Sequence, residues 1–202
     1  MTDSVTYESK PWLKSYEVGV PETLHFSDDL LVDFLRKSVE TYPEKTAFIF
    51  QGYRLSYRRF DAMVGSMVAC LRSMGVKKGD SVAILLPNVI PCAAAYYAIL
   101  RLGAVAVMNN PLYTDRELEH QFNDSKSRVL ITLDLLADRM VKMREKTGIH
   151  QIIYTSIGDY LPFPKNLLFP LVGKKKKLAA DVPPASNLFK WKDMIKAHAP
   201  VS

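Results

Sequence analysis

Residues 80–108 read DSVAILLPNVIPCAAAYYAILRLGAVAVM, and this stretch decides the fold. Twenty residues, Ser81 to Leu100, pass without a charge, so a membrane-spanning helix has to be weighed first. Pro87, Asn88 and Pro91 interrupt the run near its middle. A β-rich half (Val82 to Leu86) precedes them and an alanine-rich half (Ala93 to Leu100) follows, which is the signature of a buried strand leading into a helix. Pro91 suits a first helical turn and Gly103 a helix end.

The same unit then repeats. Apolar runs begin at Val82, Val105, Val129 and Ile152, which are 23, 24 and 23 residues apart. Helical segments are expected between them near 91–102, 115–125 and 134–147, with Thr114 and Glu117 as a capping box and Asp134 as a cap for the third. The strands show no polar alternation, as expected of strands covered on both faces. Strand–helix–strand at this spacing implies right-handed crossovers and a parallel sheet.

Upstream, a helix is predicted over 28–42 with Ser27 as its cap, then a hairpin (Thr46–Phe50 and Tyr53–Ser56 around Gln51-Gly52), then a long helix over 57–74. Past Tyr154 the order fades: residues 156–187 hold five prolines and the run Lys174–Lys177, and only a short helix over 188–198 is expected. The fold class read from this pattern is α/β, a parallel sheet of repeated strand–helix units flanked by helices, with a small N-terminal hairpin and an irregular basic C-terminal arm. The corresponding division is 1–26 as an irregular lead-in, 27–155 as the α/β body and 156–202 as the arm, with 45–155 as the stable unit.

Charge and cysteine usage narrow the function classes. The 202 residues carry a formal net charge of +6, and all of it falls in residues 165–202, where eight lysines face two acids. A neutral body with one lysine run is a poor footprint for a nucleic-acid reader. A non-enzymatic module that uses the lysine tail on nucleic acid or membrane is the alternative to an enzyme. Two cysteines, Cys70 and Cys92, in apolar helical contexts fit a reducing compartment, and Met1–Lys14 does not read as a signal peptide, so a cytoplasmic location is expected. There is no G-x-G-x-x-G, no G-x4-G-K-S/T and no G-x-S-x-G, and four scattered histidines make no metal-ligand spacing. No catalytic residue and no metal site is assigned.

Several blocks together resemble the AMP-forming acyl-CoA synthetases. They are Leu55–Phe60 (LSYRRF), Leu71–Asn88 (LRSMGVKKGDSVAILLPN) and Arg101–Leu118 (RLGAVAVMNNPLYTDREL). Tyr154–Lys165 (YTSIGDYLPFPK), Lys174–Lys177 and Phe189–Met194 (FKWKDM) are similar to the bacterial long-chain fatty-acid–CoA ligases in particular. The resemblance implies ATP-dependent activation of a long-chain fatty acid to an acyl-adenylate and transfer to CoA, with Mg²⁺. The family's Ser/Thr/Gly phosphate loop, its Thr-Glu pair for Mg²⁺, its ribose-binding Asp and its late Lys have no match in these 202 residues. The chain therefore looks like the N-terminal piece of such a ligase, inactive alone and prone to self-association.

Three groups of residues are carried forward. Arg139 and Lys142, one turn apart on the helix after the third parallel strand, are candidates for the phosphate of CoA, with a solvated helix face balanced by Asp138 and Glu145 as their simpler role. Asn88 and Asn110, at strand ends, are candidates for the substrate cleft, with turn formation as their simpler role. Lys174, Lys175, Lys176 and Lys177, behind the apolar cluster Leu167–Val172, are candidates for an anionic membrane surface, the inner face for a cytoplasmic protein.

Overall fold

The computed structural model describes residues 6–201, in two compact units divided after Leu30. The first holds two 3₁₀ turns, Tyr7–Ser9 and Pro11–Ser15, with the Tyr7 and Trp12 rings 5.0 Å apart. The second, from Leu31, is the α/β body.

The body opens with α1 (Leu31–Thr41), a hairpin of β1 (Thr46–Phe50) and β2 (Tyr53–Ser56), and the long helix α2 (Tyr57–Ser73). The hairpin turns on Gln51 and Gly52, both at positive φ. Ser56 caps α2 by accepting from the Arg59 N–H, and Gly75, at φ 85°, follows its end. β3 (Ser81–Leu85), α3 (Ile90–Arg101), β4 (Val105–Met108), α4 (Asp115–Asp124), β5 (Val129–Leu133), α5 (Asp134–Met143) and β6 (Gln151–Thr155) then alternate. The Thr114–Glu117 capping box forms as read.

All sheet pairings after the hairpin are parallel, in the order β4-β3-β5-β6-β7, where β7 is Leu188–Lys190. Alternate residues of β3, β5 and β6 serve opposite cores. Val82, Ile84, Val129, Ile131 and Ile153 join α2, α3 and Trp191 on one face. Ala83, Leu85, Leu130 and Ile152 join Leu118 and Phe122 of α4 and Met140 and Met143 of α5 on the other. β3, β5 and β6 are thus covered on both faces, as their unbroken apolar runs require, whereas β4 at the sheet edge leaves Val105 and Met108 half exposed.

Four local expectations are corrected. α1 starts at Leu31, not 28, and the Ser27 hydroxyl donates to Asp29 Oδ2 at 3.2 Å. Of its expected apolar face Leu35 is buried, but Leu31 and Phe34 stay exposed. Asp134 is the first residue of α5 rather than its cap, and α5 gives way at Arg144 to a 3₁₀ turn. The segment read as an irregular arm contains a 3₁₀ turn (Ile157–Tyr160) and an 11-residue helix, α6 (Lys165–Lys175), with Pro170 inside it. The half-buried Phe169 ring explains why a helix survives there: it lies against two glycines. A Cβ on Gly158 would come within 2.3 Å of the ring, and one on Gly173 within 2.9 Å.

The sheet also continues past Thr155. β7 (Leu188–Lys190) pairs with β6, and α7 (Trp191–Ala197) returns onto α2. Three residues ending in a lysine carry too little pattern to announce a strand. Trp191 is fully buried and donates its indole N–H to Tyr160 Oη at 2.8 Å, and the Tyr160 hydroxyl lies 3.6 Å from Met63 Sδ of α2. Beyond α7 the chain crosses α2 at Gly65, where a Cβ would meet the Val201 carbonyl oxygen at 2.6 Å. Residues 188–201 are therefore built into the core. Trp191→Ala is expected to cost about 3–5 kcal/mol, and Trp191→Phe, which keeps most of the volume but loses the hydrogen bond, about 1 kcal/mol. Urea unfolding reads both, and an unchanged midpoint in Trp191→Ala would show that this segment is a detachable arm.

Candidate functional site

Because β3 lies between β4 and β5, the chain passes from β3 to β4 on one side and then crosses back past β3 to β5 on the other. In open parallel sheets the crevice beyond the carboxyl ends at such a reversal is where ligands sit. Six polar side chains are buried among the described residues, and four of them, Asn109, Thr132, Asp134 and Thr155, lie on this carboxyl edge. Buried polar groups are costly unless they are bonded, so their partners show what the edge is built to hold.

At β4, Asn109 donates from Nδ2 to the Val107 carbonyl at 2.8 Å, while its Oδ1 is buried with no partner. At β5, Thr132 donates to the Leu85 carbonyl at 3.3 Å and so ties the carboxyl ends of β3 and β5 together. At β6, Asp159 Oδ2 accepts from Thr155 Oγ1 and from the Ser156 N–H, each at 2.9 Å, and Lys192 Nζ of α7 lies 3.3 Å from Oδ1. One carboxylate thus braces β6, the turn after it and α7.

Asp134 stands beside this brace. Its Oδ1 accepts the Leu135 N–H at 2.8 Å. Burial pushes its carboxyl above the usual range; bonds from the Ser156 hydroxyl and the Leu135 and Ala180 N–H groups oppose the shift, and the negative charge of Asp159 adds to it. Asp134, Ser156, Asp159, Asn166, Lys190 and Lys192 border a cavity of about 430 Å³. A second, apolar cavity of about 350 Å³ opens between the hairpin and α3, lined by Phe48, Phe50, Ile90, Tyr96, Tyr97 and Met108 among others.

The residues singled out from sequence fall into place unevenly. Asn88 is exposed at the carboxyl end of β3, on the rim of the apolar cavity. Asn110 is exposed and accepts the Leu112 N–H at 3.0 Å, closing a turn through its own side chain. Arg139 donates from Nε to Asp115 Oδ1 at 2.6 Å and from Nη2 to the Tyr113 carbonyl at 2.8 Å, strapping α5 to the start of α4. Lys142 pairs instead with Asp138 at 2.7 Å, which raises its pKa through the hydrogen bond and the opposite charge. The two cations are spent on separate carboxylates. Lys174 forms an ion pair with Asp181; Lys175, Lys176 and Lys177 are exposed. Asp159, Asn109 and the Trp191–Tyr160 pair escaped the sequence reading. The Ser156-x-x-Asp159 spacing, a capping box in the structure, was the available signal for Asp159.

The model of the AMP-binding enzyme family matches residues 35–193, which includes the whole carboxyl edge. The chain belongs to this family. Its AMP-binding-family relatives include a long-chain-fatty-acid–CoA ligase of Bacillus subtilis, 38% identical over 93% of this chain and 33% of that protein. Another, from Escherichia coli O157:H7, is 36% identical over 82% of this chain and 30% of the relative. The chain thus spans about a third of the length of the curated relatives it matches. Among solved structures, the fold is shared with a long-chain-fatty-acid-CoA ligase from Archaeoglobus fulgidus (TM-score 0.67, 23% identity, 92% of this chain and 34% of that one). It is shared too with an anthranilate CoA ligase in complex with anthranoyl-AMP (TM-score 0.68, 19% identity, 85% of this chain and 28% of that one).

In this AMP-binding-family chain the raised Asp134 has a thermodynamic consequence. A carboxyl that holds its proton more tightly folded than unfolded adds stability at low pH, and that contribution disappears as pH rises through its folded pKa. Above that folded pKa the ionised, buried carboxylate of Asp134 opposes folding. Asp134→Asn is expected to melt higher than wild type at pH 7, with the gap closing as pH falls below the ordinary aspartate range. Thermal melts at pH 7 and pH 3.5 test it; a variant that melts lower at pH 7 would show that the carboxylate is held by bonds worth more than its burial costs.

Proposed function

We propose that this chain is the N-terminal part of an ATP-dependent long-chain fatty-acid–CoA ligase, which forms an acyl-adenylate and then the CoA thioester. The observation that carries this is the 38% identity to the Bacillus subtilis long-chain-fatty-acid–CoA ligase over 93% of the chain. The carboxyl edge supplies one wall of the cleft in this reading. Thr132 and the Asp159 brace hold the strand ends at fixed heights, and Asn88 and the apolar cavity face outward from the same edge.

The share of the work assigned to these residues is positioning. Among the described residues no three His, Cys, Asp or Glu side chains come together. Mg²⁺ and the nucleotide phosphates are assigned to the remainder of the ligase, because the Thr-Glu pair and the phosphate loop that the resemblance implies have no match in these residues, and the 202 residues are expected to be inactive alone. Cytoplasmic operation fits the two free, buried thiols: burial pushes Cys70 up to about 12 and Cys92 in the same direction, so both stay protonated and inert.

Exchange of labelled pyrophosphate into ATP with palmitate and Mg²⁺ tests both halves of the proposal. The isolated chain is expected to give no exchange above a protein-free control. Grafted in place of the corresponding third of the Bacillus subtilis ligase, it is expected to support fatty-acid-dependent exchange. Exchange by the isolated chain would overturn the positioning role. A graft that melts cooperatively but activates no fatty acid would overturn the ligase assignment.

A further inference from the structure

α6 carries its apolar side chains on the outside. Leu167, Leu168, Leu171 and Val172 are 66%, 55%, 77% and 47% exposed, while Phe169 points into the body against Gly158 and Gly173. Asn166, Phe169 and Pro170 line the 430 Å³ cavity on the inner side. The outer stripe follows the helical repeat: Leu167 and Leu171 are one turn apart, as are Leu168 and Val172, and Lys175 and Lys176 continue the two rows. Lys165 stands at the other end, and Phe163, 78% exposed, lies just before it.

The charges identify the partner. No acid occurs between Asp159 and Asp181, while five lysines do. One of them, Lys174, is neutralised by Asp181, which leaves Lys165, Lys175, Lys176 and Lys177 with no acidic neighbour in sequence. An apolar strip bounded by lysines at both ends is a poor protein interface, because lysine is depleted there. It is complementary to an anionic bilayer, where the leucines enter the headgroup–acyl boundary and the long lysine stems reach back to phosphate. Eleven residues of helix measure about 16 Å, far short of a bilayer core, so α6 lies in the plane of the surface.

We propose that the outer face of α6 docks this chain on anionic lipid, with Leu167, Leu168, Leu171 and Val172 as the inserted groups and Lys175, Lys176 and Lys177 as the phosphate contacts. Lys174 belongs to the body rather than to the lipid. The proposal stands apart from the ligase reading, since docking needs no turnover.

Sedimentation with phosphatidylglycerol–phosphatidylcholine vesicles and with pure phosphatidylcholine vesicles tests it on the 202-residue chain. Binding is expected only to the anionic vesicles, and it falls as salt rises. Replacing Lys175, Lys176 and Lys177 together by Gln should weaken partitioning about a hundred-fold, at about five-fold per lysine. Leu167→Gln with Leu171→Gln should weaken it about ten-fold. Lys174→Gln should change it less than about two-fold. Every substituted side chain is on the surface, so thermal melts of all variants should match wild type. Equal binding to neutral vesicles, no binding to anionic ones, or no loss in the leucine pair would overturn the proposal. Self-association that disappears in the leucine pair, without vesicle binding, would assign the face to a second copy and overturn it as well.

Discussion

Val82, Ala83, Ile84 and Leu85 of β3 are completely shielded from solvent, and β3 is bonded to a parallel strand on each side. A strand in that position has no face or edge left for water. Its backbone groups are satisfied only if β4 and β5 are both in register, and its side chains only if helices cover both surfaces. α3 and α4 are the crossovers that bring β4 and β5 to it, so they are consequences of the same constraint. The position of β3 also sets the functional geometry. The chain passes to one side of it and then crosses back to the other, and the polar residues that end its neighbours collect around the opening that results.

The segment after β6 is held by a different kind of force. Its sequence is broken by prolines and lysines and would not order itself. Three contacts order it: Trp191 with Tyr160, whose hydroxyl reaches Met63; Phe169 with Gly158 and Gly173; and Val201 with Gly65. Two of the three depend on glycine, because each requires an approach closer than a Cβ permits. Asp159 adds an electrostatic tie through Lys192. A part of the chain with little local preference thus becomes the fifth strand and the last helix of the sheet. In the same fold α6 is left with its inner face occupied by the body and its apolar side turned out.

The edge of the sheet shows how charge is spent. Arg139, Lys142 and Lys174, which read as candidates for phosphate and lipid, are matched to Asp115, Asp138 and Asp181. Asp134, which reads in the sequence as a helix cap, is a buried carboxyl of the body. A side chain's formal charge was visible in the sequence; its partner was not, because Arg139 finds its partner 24 positions away, on another helix.

The sequence by itself determined the parallel α/β body. Repeats at Val82, Val105, Val129 and Ile152, unbroken apolar strands, a glycine after α2 and the Thr114–Glu117 box are local patterns, and backbone geometry and burial act on them locally. The quoted blocks also sufficed to indicate the family. Tertiary structure alone decided the rest. A three-residue strand such as β7 has too few side chains to show a period, so only β6 beside it makes it a strand. The helix at α6 exists against the local preferences of Pro170 and Gly173, because Phe169 has a slot to fill. The burial of Asp134 and the bracing role of Asp159 arise where β5, β6 and α7 converge, and that convergence is a property of distance in space, which spacing along the chain does not encode.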